Sequence, residues 1–519
     1  MKHLAVAFVV VSAAIASAQQ PPTPAAAPWW SITTDLSNDE MQGRDTGTEA
    51  YERAAKYVAD HFKADGLKPA GDNGTFFQRV PLHEVDLDTA HSSVEIVAPD
   101  GSYSPLALLY DITVPPRANL PAFTEGDLVF LGYGMNEGYD QLSRSIRGKI
   151  AVYFNNMPAG LSASERESFA AGRTRLLSAS GALALISIDN PAATEPTHWP
   201  AAYARSVTIA GGSPRATAAS SPFTMRVSAE SAYKLWAGTA ADIAKMLADA
   251  EKGLPLPSLA LARKLRITLK TTEKDISSPN ILAILPGSDP ALAPEYVAVS
   301  AHLDGYGFGA PVLGDNLYNG ALDDAAYVAT LIELADKLHG KPPARSLLFC
   351  IFTGEEKGLL GSAYYTQHLT VPKEKIVADF NLDQLRPIFS LNILTMEGIV
   401  DSTLGDTARS VAQQFSIELR PDREPERNLF RRSDNYNFVR IGVPIASFIF
   451  GYNPGTEEER IYRDWYARRY HKPQDDLLTP IDWAAAVKFN DFYRALVLAV
   501  SNNPTRPQWL PTSPYAPKQ

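Results

Sequence analysis

A histidine and a carboxylate stand one residue apart in His302-Leu303-Asp304, directly after the apolar run Val297-Ala298-Val299. The Gly-rich loop that follows closes on a second pair of acids, Asp323-Asp324. Further along come Glu355-Glu356 after LLFCIFTG, Asp383 in VADFNLDQL and His471 in DWYARRYHKPQDD. Nitrogen and oxygen donors gathered in this way suit a metal such as zinc, cobalt or manganese. Adjacent carboxylates can also divide labour, one on the metal while its neighbour moves a proton. Each position has a plainer reading on its own. His302 could be a buried, satisfied histidine, Glu355-Glu356 a helix start favoured by the dipole, Asp383 a loop acid and His471 a surface histidine near Pro473. Their order, and their recurrence at predicted strand ends, argue for chemistry.

The elements that must carry these residues follow from the hydrophobic pattern. The short buried run at 297–299 is followed by a polar loop and then by AAYVATLIELADKL, which has helical periodicity. That order describes a βα unit, and open α/β sheets place their chemistry at the carboxyl ends of strands. From Ser278 the pattern repeats. NILAIL, YVAVSA, SLLFCIF, VADFNLD and PIASFIF read as strands, and TLGDTARSVAQQF among others as helices. The expected fold is α/β, a mostly parallel mixed sheet with helices on both faces.

The remainder of the chain divides into segments. Residues 1–18 pair Lys2 and His3 with the apolar run LAVAFVVVSAAIA and end in Ala16-Ser17-Ala18, the pattern of a secretory signal peptide. The run is short for a membrane span, and no cysteine follows the cut to carry a lipid, so an exported, periplasmic or secreted protein without a membrane anchor is expected. A Pro/Ala linker spans 19–28, and residues 29–91 open the catalytic domain with the amphipathic helix AYERAAKYVADHFKADGL. Residues 92–277 read as an inserted β-rich domain, with GDLVFLGYG, GKIAVYF and ALALISI as strands. Its one histidine, His198, lies in a Thr-His-Trp-Pro turn, and the segment is expected to shape access without supplying a metal ligand. The second catalytic part covers 278–503, and a Pro-rich tail, expected to be poorly ordered, covers 504–519. The formal net charge of -10 argues against general binding to nucleic acid. The lone cysteine, Cys350, sits in an apolar run and reads as a packing residue.

The pieces SAHLD, NGALDDAA, TGEEKGLLGS, NLD and YHKPQDD, in this order, resemble the co-catalytic zinc aminopeptidases that share a fold with bacterial leucyl aminopeptidases and glutamate carboxypeptidases. The stretch MQGRDTGTEAYERAAKYVADHFKADGLKPAG looks like the opening of the larger exported members, and the insert is similar to a protease-associated domain. The resemblance implies two zinc ions and peptide substrates. It implies that His302 and Asp383 bind one zinc, that Glu356 and His471 bind the other, and that Asp323 bridges both. Glu355 would be the general base and acid, and Asp304 would hold the ring of His302. The chain departs from the family where Asp324 replaces the usual Asn, Tyr327 the usual Gly, and Ser433-Asp434-Asn435 a Ser-Asp-His.

Two other functions share these residues. A carboxypeptidase or glutaminyl cyclase would use the same fold, and a carboxypeptidase would need a cation for the substrate carboxylate, for which Arg386, Arg431 and Arg432 are candidates. A non-catalytic receptor on the scaffold should have lost ligands or the base, and none is missing here.

Overall fold

The computed structural model describes residues 23–135, 139–189, 198–211, 222–383 and 386–516. The expected signal peptide, residues 1–18, lies outside them.

Four strands form the parallel centre of a ten-stranded mixed sheet, in the spatial order Ile445–Gly451, Ile376–Asn381, Tyr296–His302 and Ser346–Phe352. Nearly every residue of these strands is buried. That explains why they read as continuous apolar runs: a sheet covered on both faces exposes neither side of a strand. Alternate residues feed different cores. Val297, Val299 and Ala301 pack with the helices Glu49–Ala64, Ala326–Leu338 and Trp483–Ser501, whereas Ala298 packs with Tyr365 and Phe438 on the other face. Antiparallel pairings flank this centre on both sides, and one outer pair, Ile393–Glu397 with Glu418–Arg420, is again parallel.

The helix Glu49–Ala64 shows how local sequence sets an element. Thr48 caps it by accepting from the Tyr51 amide at 3.2 Å. Ala50, Ala54, Val58 and Phe62 recur every four residues and are buried.

The β-rich lobe is an eight-stranded sheet built wholly from strands between Ser93 and Thr268, with its own core. The chain enters and leaves it through one long ribbon, in which Phe77–Leu87 pairs antiparallel with Thr271–Leu285 from Phe77↔Ile281 to Leu87↔Thr271. The lobe segment is not closed on itself. Arg205–Ile209 leaves it and becomes the edge strand of the catalytic sheet beside Phe77–Leu87.

Among the described residues, the Pro/Ala stretch and the Pro-rich tail are more structured than their composition suggests. The Pro/Ala stretch already enters a helix at Ala27, and Ala26 is buried. In the Pro-rich tail Trp509 donates its indole N–H to the Gly442 carbonyl at 2.9 Å, and Tyr515 stacks on Phe430 at 4.7 Å. The aromatic residues between the prolines supply the burial that Pro alone cannot. Cys350 is buried within Ser346–Phe352. Among the described residues no helix is long and apolar enough to cross a membrane.

Candidate metal centre

Three adjacent parallel strands end on the same edge of the sheet. His302 is the last residue of Tyr296–His302; Glu355 and Glu356 follow Ser346–Phe352; Asp383 follows Ile376–Asn381. Asp323 lies just before the helix Ala326–Leu338, and His471 follows Glu457–Arg468. The fold thus collects residues spread over 170 positions of sequence into one crevice.

Asp323 is at its centre. Its Oδ1 lies 3.2 Å from His302 Nε2, and its Oδ2 lies 3.4 Å from His471 Nε2. His471 Nε2 is also 3.3 Å from Glu356 Oε2, and His302 Nε2 is 3.9 Å from Asp383 Oδ1. Donor atoms of His302, Asp323 and Glu356 all fall within 4.8 Å of one another. Asp323 Oδ2 is buried and accepts no well-formed hydrogen bond. A buried carboxylate oxygen without one is costly, and a cation coordinated there removes the cost. The nitrogen and oxygen donor set suits zinc.

Electrostatics separates the two neighbouring glutamates. Burial pushes the Glu355 carboxyl well up, and the nearby Asp383 and Glu356 add to this. Burial acts on Glu356 in the same direction, but the contact with His471 outweighs it and leaves the group below its ordinary value. Burial also opposes ionisation of Asp323, yet the facing rings of His302 and His471, with Arg386 nearby, hold it well below the usual range. A raised carboxyl is a better proton acceptor, whereas a lowered one is a better permanent anion.

Support comes from several buried groups. The His302 ring nitrogen Nδ1 faces the main-chain carbonyl of Asp304 at 3.0 Å, while the Asp304 carboxylate is 3.8 Å away. The expected carboxylate grip on His302 is therefore made by the backbone of the same residue. The Asp304 carboxylate instead accepts from the Glu355 amide at 3.0 Å, the Glu356 amide at 3.3 Å and the Thr46 hydroxyl at 3.0 Å. Asp475 accepts from the amides of Leu322 and Asp323 at 3.1 and 2.9 Å, fixing the loop that carries the central carboxylate. Asp324 is buried, and its Oδ2 accepts from the His302 amide at 3.3 Å. Tyr327 is buried beside it.

Sequence reasoning assigned no role to Arg44, Tyr306 or Lys357. The fully buried Arg44 donates to the carbonyls of Leu303, Leu36, Asn319 and Gly320 at 2.6 to 2.9 Å, tying the loop after His302 to the loop before Asp323. Gly43 precedes it at φ +66°, and a Cβ there would lie 2.3 Å from the Tyr318 carbonyl oxygen, so the position demands glycine. A glycine-arginine pair in MQGRDTGTEA was the only available signal.

The candidate cations for a carboxylate differ in availability. Arg386 is buried, lies over Trp465 at 4.1 Å and has Nη2 3.6 Å from Asp323 Oδ2. Arg431 and Arg432 are exposed, with Arg431 over Tyr436. His198 reaches the centre from the β-rich lobe. Its ring packs edge-on to Tyr470 at 5.3 Å and to His471 at 5.6 Å.

Residues 280–497 match the profile of Peptidase family M28. The chain is 27% identical over 224 residues to Aminopeptidase YwaD of Bacillus subtilis, covering 42% of this chain and 44% of that protein. It is 26% identical over 244 residues to a probable leucine aminopeptidase 2 of Aspergillus oryzae, covering 44% and 46%. The matches thus span less than half the length of these curated relatives. Among solved structures, an aminopeptidase from Aneurinibacillus superposes with a TM-score of 0.57 at 18% identity, covering 91% of this chain and 93% of its own. BSAP, a zinc aminopeptidase from Bacillus subtilis, gives a TM-score of 0.55 at 19% identity, with 92% and 95% covered. At such identities the structural likeness establishes the fold alone.

Proposed function

We propose that the protein, whose residues 280–497 match the profile of peptidase family M28, is an exported zinc aminopeptidase that removes N-terminal residues from peptides with two metal ions. The observation that carries this reading is Asp323, a single carboxylate whose two oxygens face two different histidines, His302 and His471. In this reading His302 and Asp383 hold one zinc, Glu356 and His471 hold the other, and Asp323 serves both. Zinc held there supplies Lewis acidity toward the scissile carbonyl and lowers the pKa of water.

The chain's own residues then divide the remaining work. Glu355, raised by burial and by neighbouring acids, takes the proton from the attacking water and returns it to the leaving amine. Asp304 fixes the main chain of both glutamates, so one carboxylate is presented to the metals and its neighbour to the water. Asp475 holds Asp323 in place through the loop amides. The carboxypeptidase alternative loses one candidate cation, because Arg386 is buried against Trp465 and beside Asp323.

The test compares Glu355→Gln with Glu356→Gln, measuring zinc per chain and turnover on free-amine and N-blocked peptides, with and without chelator. Glu355→Gln should keep its zinc and lose about 10²–10⁴-fold in turnover, the range of lost general acid–base catalysis. Glu356→Gln should lose zinc and activity together. Cleavage of the N-blocked peptide in preference to the free amine would refute aminopeptidase action. Metal loss in Glu355→Gln but not in Glu356→Gln would reverse the two roles.

A further inference from the structure

The two histidines at the centre are supported differently, and the support of His471 passes through side chains outside the ligand set. With Nε2 facing Asp323 and Glu356, His471 turns Nδ1 to the Tyr306 hydroxyl at 3.1 Å. A histidine that ligates through Nε2 must carry its proton on Nδ1, and that proton needs an acceptor. The Tyr306 oxygen is placed to accept it. The Glu356 carboxylate lies beside the same hydroxyl and can accept the hydrogen bond that the hydroxyl donates.

Tyr306 is itself gripped by a buried cation. The Lys357 ammonium lies 4.8 Å from the Tyr306 ring centroid and 4.9 Å from that of Tyr203. It pairs with Asp45 at 3.0 Å, donates to the Gly305 carbonyl at 3.2 Å and bonds the Tyr203 hydroxyl. The Lys357 side chain is only 3% exposed, so this cation serves the interior. Tyr203 comes from the segment that leaves the β-rich lobe, two residues before Arg205, whose guanidinium pairs with the same Asp45. A cation held between two aromatic faces in a dry setting is a strong contact for its size.

We propose that Tyr306 is a positioning residue for His471, and that the β-rich lobe holds it in place through Tyr203 and Lys357. The inference rests on the reading of His471 as a zinc ligand. It gives the lobe a role in the metal site although the lobe contributes no ligand. The contact is between side chains throughout, so its removal should alter metal binding while leaving the sheet intact.

The experiment titrates the full chain with zinc against a chromophoric chelator, for wild type, Tyr306→Phe, Tyr203→Phe and His471→Ala. Thermal melting of each variant serves as the folding control. Tyr306→Phe keeps the ring over Lys357 and loses only the hydroxyl. It should weaken one of two zinc ions by about 10–100-fold, the usual cost of losing a partner behind a metal-ligating histidine, and excess zinc should restore its turnover. Tyr203→Phe should shift the same zinc in the same direction by less. A Tyr306→Phe titration superimposable on wild type, with His471→Ala releasing one zinc, would overturn this inference while leaving the ligand assignment standing. Retention of both zinc ions by His471→Ala would overturn the ligand assignment and the inference with it. If Tyr306→Phe does not fold, Tyr203→Phe decides, and zinc binding by it equal to wild type counts against the relay.

Discussion

His302 and His471 face opposite oxygens of Asp323, but the molecule holds them by different means. His302 ends a central strand, is 1% exposed, and sets its ring against the main-chain carbonyl two residues on. Behind it, Asp304 binds the backbone amides of Glu355 and Glu356, joining two neighbouring parallel strands at their ends. His471 is a loop residue with φ 55° and a side chain 21% exposed. It stacks on Tyr470 at 3.7 Å, meets Tyr306 at 4.8 Å and faces the lobe's His198 at 5.6 Å. The first side of the site is thus part of the sheet, so damage there is damage to folding. The second is an assembly of side chains from three regions, which can be altered without unfolding the core.

This contrast makes graded predictions. The largest effect belongs to Asp304→Ala, which strands two backbone amides and the Thr46 hydroxyl in a buried setting. Each donor left without an acceptor costs about 1–3 kcal/mol, so the melting temperature and peptidase turnover should fall together. An Asp304→Ala protein with wild-type melting but lost zinc would break the comparison, since Asp304 would then act on the metals and not on the sheet.

Arg205→Met probes the junction between the two regions. Arg205 joins the edge strand to Asp45, to Glu84 and to the Thr46 carbonyl at 2.8 Å. Its loss leaves each acid one lysine partner, Lys357 for Asp45 and Lys274 for Glu84. The expected destabilisation is therefore about 1–3 kcal/mol, smaller than for Asp304→Ala, with zinc lost first from the His471 side. Chemical denaturation and zinc titration of the same samples check both parts. Equal loss of zinc from the His302 and His471 sides would erase the distinction.

The smallest effect is expected for His198→Ala. The residue touches His471 and Tyr470 only edge-on and is half-buried, so melting should stay within about 0.5 kcal/mol of wild type. KM across a panel of N-terminal residues should change by a few-fold, on the scale of about 1 kcal/mol for one wall contact, with kcat little altered. An unchanged KM panel would remove the lobe's histidine from the substrate cleft.

Much of this architecture could be read from the chain alone. Buried strands, their polar ends and a helix behind Asp323 follow from apolar runs and helical spacing, which are local properties. The grouping of His302, Glu355, Glu356 and Asp383 was inferable because parallel strands bring their carboxyl ends to one edge, while Asp323 and His471 lie on loops beside helices. Which partner each group takes was not local. Asp304 faces the imidazole ring through its main-chain carbonyl and gives its carboxylate to the glutamate amides, a division that depends on the spacing between neighbouring strands. Arg44, Tyr306 and Lys357 carry no spacing signature, since their partners lie on loops distant in sequence. The return of Arg205–Ile209 to the catalytic sheet was equally hidden, because a short strand does not reveal which sheet it will join. Sequence by itself determined the donor types and the elements that carry them, through residue chemistry and periodicity. Tertiary structure alone decided which of those donors meet and what holds them, because hydrogen bonds and cation–aromatic contacts depend on distances between segments that no local pattern encodes.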